Sequence, residues 1–362
     1  MPASTLYEVA RHAGVSLATA SRVLNGSSRR PGDEISERVK ASAAALGYIA
    51  NAQAQSLAKK NSGMLGLILH DIADPYFSTI ARGVQECAQG RQKVVLLAST
   101  GGGPAGEHRA VAAFAARRAD AIVLAGTRTD TAAAAGENEL LLSELRRYQA
   151  NGGRVAVIGQ PLVGSVPGDG FRTIPVPNRE LSVHLAADLA RAGHRRFLIL
   201  AGPEGLATSD DRLAGFQEGL RQAGCEPAEV RRTGFNRDGG YDAAAALAAE
   251  LSGKPAGEAR PNGSGPRGDG PAVCIFAASD VMAIGAIAGL REHSLRIPED
   301  VAVAGFDDIE TLRDFTPALT TAQLPLSGLG SEAVAQVLAE DGAAEACAAA
   351  GHVILRRSTE LS

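Results

Sequence analysis

The chain has 362 residues, too many for one compact core and enough for two or three domains. Its 45% hydrophobic content is that of a globular protein, and no apolar run approaches membrane-spanning length. The net charge of −4 hides an asymmetry: residues 1–62 hold eight Lys/Arg against four Asp/Glu, so the acidity lies in the remainder. A basic end on an acidic body fits a protein that offers that end to phosphates. Cys87, Cys225, Cys274 and Cys347 are spread too widely for a metal-ligand pattern, and the seven histidines include no i,i+4 pair. No metal or other cofactor is expected. Met1 is not followed by a basic stretch and an apolar one, which points to a cytoplasmic protein with reduced thiols.

The first elements read as two short helices joined by a tight turn, over Thr5–Asn25. Thr5 and Glu8 have the spacing of a capping box, and Leu6, Val9, Ala10 and Ala13 form one apolar face. Gly14 ends that helix, where a residue without Cβ turns left-handed at little cost, and Ser16 caps the next. In the second helix Ala20, Val23 and Leu24 face inward, while Leu17, Ala18, Ser21 and Arg22 face out. A helix-turn-helix sets such residues on base edges in the major groove. The alternative is an αα-hairpin with a solvated face. A loop with Arg29 and Arg30 follows, then a third helix over residues 34–46, with Ile35, Val39, Ala43 and Leu46 inward. Residues 48–60 have the composition of a helix too short to stand alone.

From Met64 the pattern alternates between strand and helix. Leu65–His70, Val94–Ala98, Ala121–Leu124 and Val155–Ile158 form one set of short apolar strands. Phe197–Leu200, Val230–Gly234, Val273–Ala277 and Val301–Ala304 form a second. This predicts two doubly wound, parallel α/β units. Residues 253–271, rich in Gly and Pro, read as a disordered insertion. Gly101-Gly-Gly-Pro-Ala-Gly106 matches the glycine-rich dinucleotide pattern, which leaves an NAD(P)-dependent oxidoreductase as one alternative. Pro104, however, interrupts the stretch that should open the helix, and no acidic residue sits suitably further on. With no nucleophile–base constellation, no enzyme activity is expected.

Several short motifs together resemble the lac repressor (LacI/GalR) family of bacterial transcription regulators across essentially the whole chain. Val15-Ser16, Thr19, Ser21-Arg22-Val23 and Asn25 resemble its recognition helix. Tyr48-Ile49 and Asn51–Leu57 resemble its hinge, and Asp74-Pro-Tyr-Phe77 its first strand-helix loop. Asp211–Phe216, Ala278-Ser-Asp280 with Met282–Gly285, Pro298-Glu-Asp300, Gly305–Asp308, Leu319-Thr-Thr321 and Arg357-Ser-Thr359 follow in the family's order. The chain departs from the pattern at Ala20, Ala50, Gln55, Pro177 and Ser279, where valine, proline, arginine, aspartate and asparagine are usual.

The resemblance implies an α/β protein with a three-helix helix-turn-helix headpiece over 1–47 and a hinge helix over 48–62. A periplasmic-binding-protein-like core over 63–362 would follow, with one subdomain at 63–160 and 322–345 and the other at 161–321 and 350–358. It implies a homodimer on a near-palindromic double-stranded DNA operator, the chain's end carrying no heptad tail for a larger assembly. Arg22 has the fork that matches guanine O6 and N7, Leu17 and Ala18 suit a thymine methyl, and Thr19, Ser21, Asn25 and Arg29 suit phosphate. Thr5, Ser16, Tyr48, Asn51 and Ala54 join the DNA-facing set by resemblance, and Leu57 enters the minor groove. Ligands in open α/β sheets sit beyond the carboxyl ends of the strands. That places Asp74, Tyr76, Phe77, Arg212, Phe235, Asp280 and Asp307 at an effector cleft suited to a sugar or similar polyol. The expected function is a repressor switched by that effector. An exported solute-binding protein is the alternative for residues 64–362.

Overall fold

The computed structural model describes residues 4–25, 31–49, 62–252, 271–339 and 350–361. Arg29, Arg30, Ala50, Asn51, Ala54, Gln55 and Leu57, with Cys347 and residues 253–270, lie outside these. The chain divides into two compact units, Met1–Gly63 and Met64–Ser362.

In the first unit, helices α1 (Leu6–His12), α2 (Leu17–Asn25) and α3 (Asp33–Ala45) surround a small core of Val9, Ala10, Ala13, Ala20, Val39 and Ala43. The chain leaves α1 through Gly14 at φ +65°, and Val15 donates its N–H back to the Ala10 carbonyl at 3.0 Å, which fixes the angle of the turn. Two side chains brace this small core. Arg38 Nε donates to the Ala13 carbonyl at 2.9 Å, satisfying the end of α1, and His12 Nδ1 meets the buried Ser42 Oγ at 3.0 Å.

The second unit holds two sheets. The first has five parallel strands in the order β2-β1-β3-β4-β5: β1 (Met64–Leu69), β2 (Val94–Ser99), β3 (Ala121–Ala125), β4 (Arg154–Ile158) and β5 (Arg172–Ile174). The second has the order β11-β10-β9-β8-β6-β7: β6 (Phe197–Ala201), β7 (Glu229–Arg232), β8 (Cys274–Ala277), β9 (Ala302–Asp307), β10 (Thr320–Gln323) and β11 (His352–Ile354). All its pairings are parallel except the antiparallel β10–β11 edge. The central strands β1, β3, β6 and β8 are almost wholly buried, as strands covered by helices on both faces must be.

Helices α4 (Pro75–Gly90), α5 (Pro104–Ala116), α6 (Ala135–Ala150), α7 (Asn178–Arg191), α8 (Ala207–Gln222), α9 (Arg237–Ser252), α10 (Asp280–Glu292) and α11 (Leu326–Leu338) cover the sheets. They pack in pairs, among them α4 with α11, α7 with α8 and α9 with α10. The first pair touches so closely that a Cβ on Gly83 would lie 1.9 Å from the Ser327 carbonyl oxygen. Among the described residues, no helix is long and apolar enough to cross a membrane.

Three expectations need correction. Arg172–Ile174 pairs with β4, so the first subdomain runs well past residue 160. Ala322 and Gln323 pair with β9, so they belong to the second subdomain and the return crossing comes just before α11. Pro104 does not interrupt a helix. It is the first residue of α5, where a missing N–H costs nothing because that group would have no helical partner.

Candidate functional site

The exposed side of α2 is built by its start. Upstream, Thr5 and Glu8 form the capping box of α1: Thr5 N donates to Glu8 Oε2 at 2.7 Å and Glu8 N to Thr5 Oγ1 at 3.3 Å. Ser16 Oγ accepts the Thr19 N–H at 3.1 Å and lies 2.9 Å from Thr19 Oγ1, which fixes the start of α2. Ala20 is fully buried, which turns Leu17, Ala18 and Arg22 outward to solvent. Leu17 is 49% exposed. Thr19 and Ser21 sit at the edges of this face, half-buried. Tyr48 packs its ring against the headpiece core, and its N–H donates to the Ala43 carbonyl at 2.9 Å, closing α3.

The second site is a cavity of about 150 Å³ at the carboxyl ends of both sheets. Both sheets reverse their strand order at the first strand of the set, and a crevice opens at such a switch point. The first sheet contributes His70 after β1, Gly126 and Thr127 after β3, and Gly159 after β4. The second contributes Phe235 and Asn236 after β7, Ser279 after β8 and Asp307 at the end of β9.

Arg212 organises the wall. It is 1% exposed, and each guanidinium nitrogen donates to a different element: Nε to Asn178 Oδ1 at 2.9 Å, Nη1 to the Ala278 carbonyl at 2.7 Å, and Nη2 to Asp307 Oδ1 at 2.7 Å. Its Cζ lies 3.9 Å from the centre of the Phe306 ring, a cation–π contact inside the core. Three of its five N–H groups are spent on these bonds. Asp307 accepts Arg212 through one oxygen, which leaves Oδ2 to the cavity it lines. Burial raises the Asp307 carboxyl above its ordinary value, and the Arg212 charge pulls it back down. Asp307 and Asp308 have φ of +119° and +54°, unusual for residues with a Cβ. The turn is held because Asp308 takes Arg356 Nη1 and Gln323 Nε2, both at 2.7 Å.

Opposite, Asp74 caps α4 by accepting the Tyr76 N–H at 2.9 Å, and burial lifts its carboxyl pKa. The Tyr76 and Phe77 rings meet edge to face at 4.9 Å, and His70 stacks on Phe77 at 5.8 Å. Burial, with Asp307 nearby, also raises the Tyr76 hydroxyl pKa. Behind His70, Gly102 has φ +92°, and a Cβ there would lie 2.3 Å from the imidazole. The glycine-rich loop is therefore a seat for His70.

At one edge of the cavity the two lobes are joined. Thr129 and Leu206 form an antiparallel bridge, with Asp130 N donating to the Gly205 carbonyl at 3.0 Å and Ala207 N to the Arg128 carbonyl at 2.9 Å. Gln160 Nε2 reaches Asp211 Oδ2 at 2.6 Å beside it. Arg128 is locked from behind by a two-bond, buried pair with Glu107 at 2.7 and 2.9 Å.

Asp74, Tyr76, Phe77, Arg212, Phe235 and Asp307 thus share one cavity wall. Asp280 does not. It is fully buried behind the wall, with Oδ1 accepting Thr321 Oγ1 at 2.8 Å and Oδ2 accepting the Ile309 N–H at 3.0 Å. The two oxygens tie the start of α10 to β10 and to the loop after β9, and burial pushes the carboxyl up to about 6. His70, Thr127, Asn178, Thr208 and Asn236 also line the cavity and were missed. His70 is the last residue of a predicted strand, so the strand-end rule applied to the others would have found it.

Two family models match the chain: bacterial regulatory proteins, lacI family, over residues 5–51, and periplasmic binding protein-like domain over residues 186–359. The HTH-type transcriptional regulator in the aml 5′ region of Streptomyces limosus is 31% identical over 345 residues, covering 92% of this chain and 87% of that one. The ribose operon repressor of Escherichia coli K12 is 28% identical over 334 residues, covering 91% of each. Among solved structures, the lac repressor dimer bound to operator and the anti-inducer ONPF superposes with a TM-score of 0.77 at 24% identity, covering 99% of each chain. The chain belongs to the lacI family of bacterial regulatory proteins and is a DNA-binding transcriptional regulator.

Proposed function

We propose that the protein is a cytoplasmic repressor, without catalytic activity, that binds a near-palindromic operator as a dimer and is switched by a small polyol in the cleft. The observation that carries this reading is the pairing of two surfaces in one chain. One is the exposed Leu17, Ala18 and Arg22 side of α2; the other is a cavity lined by the Arg212–Asp307 pair with Phe77 and Phe235. Arg22 reads a guanine edge by a bidentate bond, and Leu17 and Ala18 press on a thymine methyl. Thr19 and Ser21 at the rim take phosphate and fix the register. In the cleft, Arg212 donates to ligand oxygens, Asp307 and Asp74 accept from hydroxyls, and the aromatic rings cover the ring face. The edge strand β2 leaves Val94 63% exposed and Leu97 45% exposed, apolar area that a second copy would cover. Effector binding changes the angle between the lobes and so the spacing of the two headpieces.

Competition binding of Arg22→Ala on operator and scrambled duplexes tests the DNA half. The loss should be about 1–3 kcal/mol on operator and much less on scrambled DNA. Equal weakening on both would show that Arg22 contacts the backbone.

A further inference from the structure

Five helices begin at the cavity: α4, α7, α8, α9 and α10 all present their first turn or the residue just before it to its wall. Open helix N-termini gather anions, because unbonded N–H groups and the helix dipole both point at the site. Here the chain takes up at least one of those groups on each helix itself. Asp74 Oδ1 takes the Tyr76 N–H at 2.9 Å, Ser279 Oγ takes the Met282 N–H at 3.4 Å, and Asn236 Oδ1 takes the Gly239 N–H at 2.8 Å. On α8, the Ala207 and Thr208 N–H groups donate across the cleft to the Arg128 carbonyl and Thr127 Oγ1 at 2.9 and 3.1 Å. On α7 the N-cap is Pro177, which has no N–H, and the Asn178 N–H goes to the Val176 carbonyl at 2.8 Å.

The charges on the wall point the same way. Asp71, Asp74 and Asp307 line the cavity beside one guanidinium, Arg212, which is already bonded to Asp307. Repulsion among these carboxylates adds to burial in raising Asp74 and Asp307. Size adds a second restriction. A protein cavity of roughly 150 Å³ is known to hold one benzene ring, and this one measures about 150 Å³.

We propose that the effector is an uncharged, hydroxyl-bearing molecule of one ring, and that the cleft rejects the phosphate ester or carboxylate of that same ring. This rests on the reading of the cavity as a polyol site. An anionic group about 6 Å from one uncompensated carboxylate, at an effective dielectric of about 20, loses about a hundredfold in affinity.

Calorimetric titration of the full chain tests this with neutral pentoses and hexoses, each paired with its phosphate ester or uronate. The neutral member of the binding pair should be tighter by about a hundredfold. In Asp74→Asn, which keeps the helix cap but removes that charge, the gap should shrink by most of the hundredfold. An ester or uronate that binds as well as its neutral parent overturns the charge inference and leaves the polyol reading standing. Silence across the whole panel overturns the polyol reading and this inference with it. An unchanged gap in Asp74→Asn refutes the electrostatic origin.

Discussion

Arg212→Ala should damage the fold before it damages the response to effector. The substitution removes three hydrogen bonds at once and leaves Asn178 Oδ1, the Ala278 carbonyl and Asp307 Oδ1 without their donor in a buried wall. Breaking one partner out of a buried ion pair costs about 3–5 kcal/mol, and the two neutral acceptors add to this unless water from the cavity reaches them. A net loss of about 4–5 kcal/mol, at roughly 2 °C per kcal/mol for a domain of this size, lowers the melting temperature by about 8–10 °C. The cost also depends on pH. Without Arg212 nothing opposes the burial that already raises the Asp307 carboxyl. A folded-state pKa raised above the unfolded value gives stability that is lost as pH climbs through it. The parent's carboxyl is itself raised to about 8, so both proteins lose stability alike below that, and the melting deficit should be smaller at pH 7 than at pH 9. Differential scanning calorimetry of both proteins at the two pH values measures it. A deficit below about 1 kcal/mol, or one that does not widen with pH, would refute the account of Arg212 as the hub of the wall.

Asp280→Asn tests the other buried carboxyl. Its pKa is pushed up to about 6, so the parent's stability should fall as pH rises from about 4 to 6, and the variant should lack that portion of the slope. Parallel melts across this range decide it; identical slopes would place the ionisation elsewhere. Gly102→Ala forces a Cβ into the space 2.3 Å from the His70 ring and onto a backbone at φ +92°. It should weaken effector binding while leaving affinity for operator in the absence of effector unchanged. Titration with the effector and operator binding by anisotropy separate the two, and an unaltered effector affinity would remove His70 from the site.

The elements that could be read from the sequence were those whose signal is local. Thr5 with Glu8 and Gly14 with Ser16 mark helix ends by hydrogen-bonding chemistry that works within four residues, and α1 and α2 start where those residues stand. The buried central strands also announced themselves, since a strand covered on both faces is a continuous apolar run. Strands β5, β10 and β11 have only three or four residues, with Arg172, Thr320, Thr321, Gln323 and His352 among them. Nothing local distinguishes such strands from loops, because only their neighbours in the sheet make them strands. Asp280 shows the same limit at the site. A residue at a strand's carboxyl end can face the cleft or the core behind it, and Thr321 and Ile309, distant in sequence, draw its oxygens inward. Arg212 lines the cavity, and its bonds to Asn178 and Ala278 are written only in three dimensions.

The bridge between Thr129 and Leu206 has a consequence for how such a cleft can change its ligand. The bonds that hold the lobes together there run largely from main chain to main chain: Asp130 N to the Gly205 carbonyl and Ala207 N to the Arg128 carbonyl. Leu206 nevertheless turns its side chain to the cavity wall. Within one stretch of chain, the backbone fastens the lobes and the side chain lines the cavity. Substituting Leu206 leaves the bridging amides and carbonyls in place, since every residue other than proline carries the same pair. Ligand preference is thereby free to drift by point mutation while the fastening is inherited intact, and a redesign of specificity has a natural first position.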